Sequence, residues 1–507
     1  MEVTSNRKIT HNTIVLFIRM FIVMTINLFA VRLTLQALGV EDYGIYNVVS
    51  GFVSMFSCLS SVLASATQRY YSFYLGTSNI ENLKHIFSAS LIIYIVFSIV
   101  IFVVGETIGL WFVNTQLVIP EVRMIAANYI YQFAIISFIV SMVVVPFSAA
   151  VVAHECFNFF AIVSLFDCVL RFFLILSLKY VSPDRLILYG FFLMVAQIVV
   201  LLLYYFFCKK RYSECSLVRV NEKNTYKELL SFSGWTLFGS IAGMGMMQIN
   251  TILVNIFFGP ICNAARAIAL QVYTAILQLS SNFIMSVRPP MIKNYADGNI
   301  SELNSLFALS NKIIFLLMSI SCIPLYFEMP FILKIWLGDV SDDTILFSRL
   351  MVLYSFFLVF SNPITIIMQA MGRVKEYFVP VEMITLLCAP LTYVLFRLGL
   401  PAESTFEAMI ICILGSHIVR LHQLKKYYSE FSLTEYFKTV VLFSIFSLII
   451  TLAVVYMVSV IIENPWAELI TVIFTTFVMI GGSVFFIGMS PTERDKFLKL
   501  IFRKRMS

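Results

Sequence analysis

The sequence predicts an all-α polytopic membrane protein of about fourteen transmembrane helices: two similar six-helix bundles followed by two more helices. Three observations predict it. The 507 residues are 60% hydrophobic and 12% charged, with a mean hydropathy of +0.91, whereas soluble domains are charged at about a quarter of their positions. Apolar runs long enough to cross a bilayer, about 20 residues each, recur from Thr13 to Met489. The pattern also repeats. Gly39 and Gly259 lie 220 residues apart, and Asn79-Ile80-x-x-Leu83-x-x-x-Phe87 matches Asn299-Ile300-x-x-Leu303-x-x-x-Phe307 at the same offset. Pro146 with Ala153 matches Pro363 with Ala370 at an offset of 217. Internal repeats of this kind characterise transporters.

The first span carries Arg19 and Arg32. Each lies about six residues from an end, roughly 9 Å deep, where snorkelling to the headgroups and facing a cavity are both open. They are 13 apart and point about 140° away from each other, so only one is expected to face a cavity. A tight turn, Leu38 to Gly44, leads to a second span rich in Ser, Gly and Ala, residues that allow close helix packing in lipid. Ser78 and Glu81 fit a capping box opening the third span, whose Glu106 lies toward the outer interface. In the fifth span Asp167 and Arg171 are i,i+4 neighbours near the bilayer centre. Each charge costs at least about 2.5–3.5 kcal/mol there. The two neutralise one another in part, and they are expected to line a hydrated cavity.

The connector 209–233 holds six basic residues and a segment, TYKELLSF, that reads as a linker helix on the anionic inner leaflet. Beyond it, Gly234 to Gly298 forms two apolar runs joined at Gly259-Pro260. Gln248 and Asn255 are seven apart and share a helical face. Arg266 and Arg288 are 22 apart and return to within roughly 40° of each other, which predicts a helix pair with a wet, basic side. Ser490-Pro491-Thr492-Glu493 starts a basic amphipathic tail expected to lie on the inner surface. The expected divisions are thus 1–208, a six-helix bundle; 209–233, the linker; 234–424, the second bundle; 425–489, two more spans; and 490–507, the tail.

Lysines and arginines in the loops set the orientation. Twenty-four fall on the side of the termini and six on the other, so both termini are expected to be cytoplasmic. The net charge of +7 follows from this asymmetry and calls for no nucleic acid. The nine cysteines show neither disulfide nor metal spacing, and no nucleotide loop, nucleophile elbow or carboxylate pair is present. His154-Glu155, His417 and His422 read as loop and interface residues. No cofactor or enzymatic activity is expected.

The stretches LGVEDYGIYNVV (Leu38–Val49), FFGPICNAARAIALQV (Phe257–Val272), RPPMIKNYADG (Arg288–Gly298) and TERDKFLKLIFRK near the end together resemble bacterial polysaccharide-biosynthesis flippases of the Wzx type. These belong to the multidrug/oligosaccharidyl-lipid/polysaccharide exporter (MOP) superfamily. The resemblance covers essentially the whole chain. It implies a MATE-like fold in the bacterial cytoplasmic membrane. It also implies transfer of undecaprenyl-diphosphate-linked oligosaccharide from the inner to the outer leaflet, for O-antigen or capsule. The arginine-lined cavity of such flippases has its counterparts here in Arg171, Arg266 and Arg288; Arg19 and Arg32 are not spaced as in the related lipid II flippases. Membrane lipids and other polysaccharide assembly proteins are the implied partners, and H+ and Na+ both stand as coupling ions. The alternative within the superfamily is a MATE-type multidrug/cation antiporter. That function suits an acidic cavity and usually a carboxylate in the first span, and no Asp or Glu occurs between Thr13 and Leu38.

Overall fold

A chain segment in hydrocarbon must satisfy its backbone within itself, and a helix does so with local hydrogen bonds alone. In a computed structural model of the chain, described for residues 2–39, 42–43, 45–46, 49–50, 53, 57–115, 119–180, 184–218, 223–338 and 340–488, the ordered elements are all helical. We label the principal helices α1 (Glu2–Leu38), α2 (Ser57–Gly76), α3 (Ile80–Val104), α4 (Met124–Ala153), α5 (Phe157–Ser177), α6 (Arg185–Arg211), α7 (Lys223–Ala296), α8 (Ile300–Phe327), α9 (Met329–Leu337), α10 (Asp342–Val359), α11 (Ser361–Ala370), α12 (Val374–Arg397), α13 (Ser404–Tyr427), α14 (Phe443–Ile461) and α15 (Pro465–Ser483). Among the described residues twelve helical stretches are long and apolar enough to cross a membrane, from Ile80–Thr115 to Pro465–Gly488. They correspond to the third through fourteenth predicted runs. The shorter apolar stretch His11–Asn27 falls in the first run, and the second run and the tail after residue 488 contain positions outside the described residues. The chain is a multi-pass membrane protein.

The repeat is written in the backbone as well as in the side chains. Gly39 and Gly259 both take a left-handed conformation, φ 83° and 81°. Ser78 and Gly298, again 220 apart, take φ 53° and 71°. Glu155 and Gly372, 217 apart, take φ 57° and 74°. L-residues with a Cβ rarely adopt this region, so three coincidences at the two offsets found in the sequence show the same turns recurring in both halves. Asn79 and Asn299 are both N-caps, accepting from the amides of Asn82 (3.0 Å) and Glu302 (3.4 Å). The cap of α3 is therefore Asn79 and not Ser78, whose left-handed backbone is part of the preceding turn. Pro146 and Pro363 both sit inside helices, α4 and α11.

The chain divides into two compact units, one of Thr10–Leu237 and one running from Phe238 onward and including Met1–Ile9. In the first, α4 packs on α2, α3 and α6, and α5 packs on α6. In the second, α13 packs on α10 and α12, while α14 and α15 pair and α15 seats on α8. TYKELLSF is not a separate surface helix: α7 begins at Lys223 and runs through it, with Leu229 and Phe232 buried. The only non-helical backbone inside α7 is at Gly259 (φ 81°, ψ −176°), which splits it into the limbs Tyr226–Gly259 and Ala265–Ala296.

Candidate functional site

The predicted mid-membrane pair forms. Helical spacing places Asp167 and Arg171 on one face of α5, and Arg171 Nε donates to Asp167 Oδ1 at 2.8 Å. Arg171 Nη2 reaches across to Gln197 Oε1 on α6 at 3.1 Å. The guanidinium lines a pocket of about 240 Å³ within the first unit. Tyr46, Ser50, Ser137 and Gln197 supply further polar groups, and Ile130, Ala134, Phe138 and Leu193 supply apolar walls. Gly190 completes the lining where α6 passes α4; a Cβ there would meet Ile130 Cγ1 and Phe133 Cδ2 at 3.2 Å. Charge, carboxamide and hydroxyls thus converge in an otherwise apolar bundle, the composition of a ligand pocket.

Polar contacts also tie α1 to α5. His11 Nε2 lies 3.3 Å from Asn158 Oδ1, Arg19 Nη1 donates to Ser164 Oγ at 3.3 Å and stacks 5.0 Å from the Phe160 ring, and Cys168 Sγ lies 3.7 Å from Asn27 Oδ1. Arg19 is therefore engaged with the fifth predicted run and does not extend freely to a membrane surface. The Arg32 side chain lies outside the described residues.

The expected wet, basic side of α7 is not what the second unit presents. Gln248 and Asn255 are both exposed. Arg266 is 0% exposed. Its Nε and Nη2 make long contacts to Thr251 Oγ1 (3.3 Å) and Met247 O (3.4 Å), and it lies 5.1 Å from the Phe406 ring. Among the described residues its Nη1 has no hydrogen-bond partner. Arg288 is half-buried and donates through Nη2 to Gln369 Oε1 on α11 at 2.7 Å. The arithmetic that put the two arginines on one side of the helix holds, but that side packs inward with Cys262, Ala265, Ala269, Ile276, Phe283 and Val287. Periodicity tells which residues share a face; it does not tell which face the bundle buries.

Other polar clusters had weaker sequence signals. Arg123, before α4, binds two carboxylates at once: Asp42 through Nε (2.8 Å) and Nη2 (2.5 Å), and Asp184 through Nη1 (2.7 Å) and Nη2 (3.1 Å). Asp184 also caps α6 at the amides of Leu186 and Ile187. Burial works against its charge, but the Arg123 guanidinium overcomes this and holds the carboxyl below its usual range. His154, read from sequence as a plain loop residue, stacks on Tyr212 at 4.1 Å and meets Glu214 Oε1 at 2.5 Å. Burial would raise the Glu214 pKa, yet the His154 contact brings it below the ordinary value. In the second unit Asn250 and Arg420 are buried, with Asn250 Nδ2 3.4 Å from Cys388 Sγ and Arg420 Nη1 donating to Ser416 Oγ at 2.8 Å. Single polar residues in apolar runs were the available signal, and it does not name their partners. Among the described residues no group of three His, Cys, Asp or Glu side chains is arranged to hold a metal.

No family model and no curated protein matches the chain. Solved structures do. A multidrug resistance MATE family transporter of the MOP superfamily, in its outward-facing conformation, superposes with a TM-score of 0.73 at 13% identity, over 85% of this chain and 99% of its own. The chain has the MATE fold. A MOP superfamily transporter from Pyrococcus furiosus matches with a TM-score of 0.70 at 14% identity, over 83% of this chain and 95% of its own. The MATE transporter ClbM, solved in complex with Rb+, matches equally well, 0.70 at 14% identity over 82% and 94%. At such identities the likeness is one of fold. Against that MATE fold this chain is longer, and the unmatched remainder is about as long as the segment that follows α13.

Proposed function

We propose that the protein is a flippase that moves an undecaprenyl-diphosphate-linked oligosaccharide from the inner to the outer leaflet of the bacterial cytoplasmic membrane, for O-antigen or capsule. The observation that carries this reading is the pocket lined by Arg171, Gln197, Ser50 and Ser137 in a transporter fold. Each unpaired sugar hydroxyl drawn into hydrocarbon costs on the order of several kcal/mol, so a glycan crosses only along a polar path. A guanidinium fork binds phosphate oxygens in pairs, which an ammonium cannot do. Asp167 holds Arg171 in position and partly neutralised until a stronger anion competes for it. The lipid tail stays in the bilayer while the polar pocket opens alternately to the two sides. The first predicted run has arginines and no carboxylate, which does not suit a cationic drug. The Pyrococcus furiosus transporter is described as having a binding pocket of reversed polarity that suggests a different function.

The test is surface glycan in a strain deleted for this gene, with membrane protein level measured alongside. Arg171→Ala is expected to reduce surface glycan at least tenfold, and Arg171→Lys less. Unchanged surface glycan in the deleted strain, together with extrusion of a cationic dye by the restored protein, would replace the flippase with a drug antiporter.

A further inference from the structure

The limb Ala265–Ala296 of α7 is among the least apolar candidate spans, with a mean hydropathy of 1.3. Its buried stripe holds the apolar side chains and Arg266. Its exposed stripe holds Ala267, Gln271, Thr274, Ala275, Gln278 and Ser281, and none of this limb's large apolar side chains is exposed. The preceding limb is different: beside Gln248 and Asn255 it exposes Ile241, Met244, Ile249, Ile252 and Ile256, large apolar side chains of the kind that face lipid. Positions 271, 274, 278 and 281 follow the 3-4-3 spacing of a single helical column, which extends about 15 Å at 1.5 Å per residue. The hydroxyls of Thr274 and Ser281 donate back to the carbonyls of Leu270 and Gln278, both at 2.9 Å, leaving oxygen lone pairs outward. The Gln271 and Gln278 carboxamides make no hydrogen bond to other described residues.

We propose that this column is the sugar-contacting surface of the transport path, on which the uncharged oligosaccharide lies while its diphosphate is held elsewhere by arginine. The inference rests on the flippase reading. A carboxamide offers two N–H donors and an oxygen acceptor, which matches the paired donor and acceptor character of sugar hydroxyls. From Gln271 to Ser281 the column carries no charge: Arg266 is buried, and Arg288, seven residues beyond Ser281 on nearly the same line, is engaged with Gln369. Lipid is an unsuitable occupant, because hydrocarbon would leave two carboxamides unsatisfied.

Single cysteines at Gln271→Cys, Gln278→Cys and Ser281→Cys, with Ile276→Cys and Phe283→Cys as buried controls, test it in the full-length protein. The probe is a small hydrophilic thiol reagent, applied to cells that make the lipid-linked glycan and to cells lacking the transferase that loads its first sugar phosphate. Labelling of the unsubstituted chain is subtracted. The three column positions are expected to react and the controls not, with reaction at least threefold slower in the glycan-producing cells. Equal rates in both strains would mean a column that meets only water, and would overturn the sugar contact. No reaction at any column position would overturn the wet column itself. Failure of the flippase reading appears separately, as unchanged surface glycan in the gene-deleted strain.

Discussion

Arg171 and Asp167 form a pair whose members depend on each other. Removing the arginine leaves a carboxylate in an apolar bundle without its counter-charge, which typically costs about 1–3 kcal/mol. Arg171→Ala is therefore expected to lower the unfolding midpoint of the purified protein, and Asp167→Asn with Arg171→Gln to restore it without restoring transport. A double variant that exports normally would reduce the pair to a packing element. Glu328, between α8 and α9, is 3% exposed, and its Oε1 has no partner among the described residues. Burial, with Glu468 adding a like charge, pushes its pKa from 4.5 up to about 7. Because the folded-state value lies above the unfolded one, the associated stability is complete below about pH 4.5 and is lost as pH rises to about 7. The amplitude is at most about 3 kcal/mol, from 1.36 kcal/mol per unit. Thermal unfolding followed from pH 5 to 8 should show this decline in the wild type and not in Glu328→Gln; equal slopes would show that Glu328 does not titrate in this range.

At the scale of elements, the Arg123 clasp and the left-handed glycines define how hairpins close. One guanidinium joins the turn after α1, the start of α4 and the cap of α6. All three side chains are a fifth to a third exposed, so solvent weakens each bond. Arg123→Ala is expected to destabilise the first unit by about 1–2 kcal/mol, and Arg123→Lys to recover only part of this, because an ammonium lacks the fork that engages two carboxylates. A proteolysis midpoint unchanged in Arg123→Ala would show that packing alone sets these turns. At Gly259 an added Cβ meets nothing within 4 Å, so Gly259→Ala isolates the cost of the backbone conformation. With φ 81° and ψ −176° that conformation is essentially glycine-only, and its cost to alanine is about 1–3 kcal/mol; a loss of similar size is expected at Gly39→Ala.

Across the whole molecule, orientation is the property that charge asymmetry predicts and labelling can check. Val122 and Tyr180 are 90% and 89% exposed, and Leu217 is 70% exposed. Val122→Cys and Tyr180→Cys should react with an impermeant reagent from outside intact cells, and Leu217→Cys and Asp297→Cys only after permeabilisation. External reaction at Leu217→Cys would invert the proposed topology.

What the sequence determined by itself is whatever depends on local physics. Run length and hydropathy define the spans, because the bilayer requires about 20 apolar residues whatever packs beside them. The repeat was readable from Gly39/Gly259 and Asn79/Asn299, because left-handed turns and caps restrict which residues fit. The Asp167–Arg171 pair was readable because four residues span one helical turn. Arg266 was not, since its angle on the helix was right and its surroundings unknown; only packing with Phe406 and the bundle core decides that this face turns inward. The same packing leaves Gln271 and Gln278 outward and gathers Asp42, Arg123 and Asp184, residues 81 and 61 positions apart, onto one guanidinium. Such choices are made between helices, by which faces bury together, and no single helix encodes them.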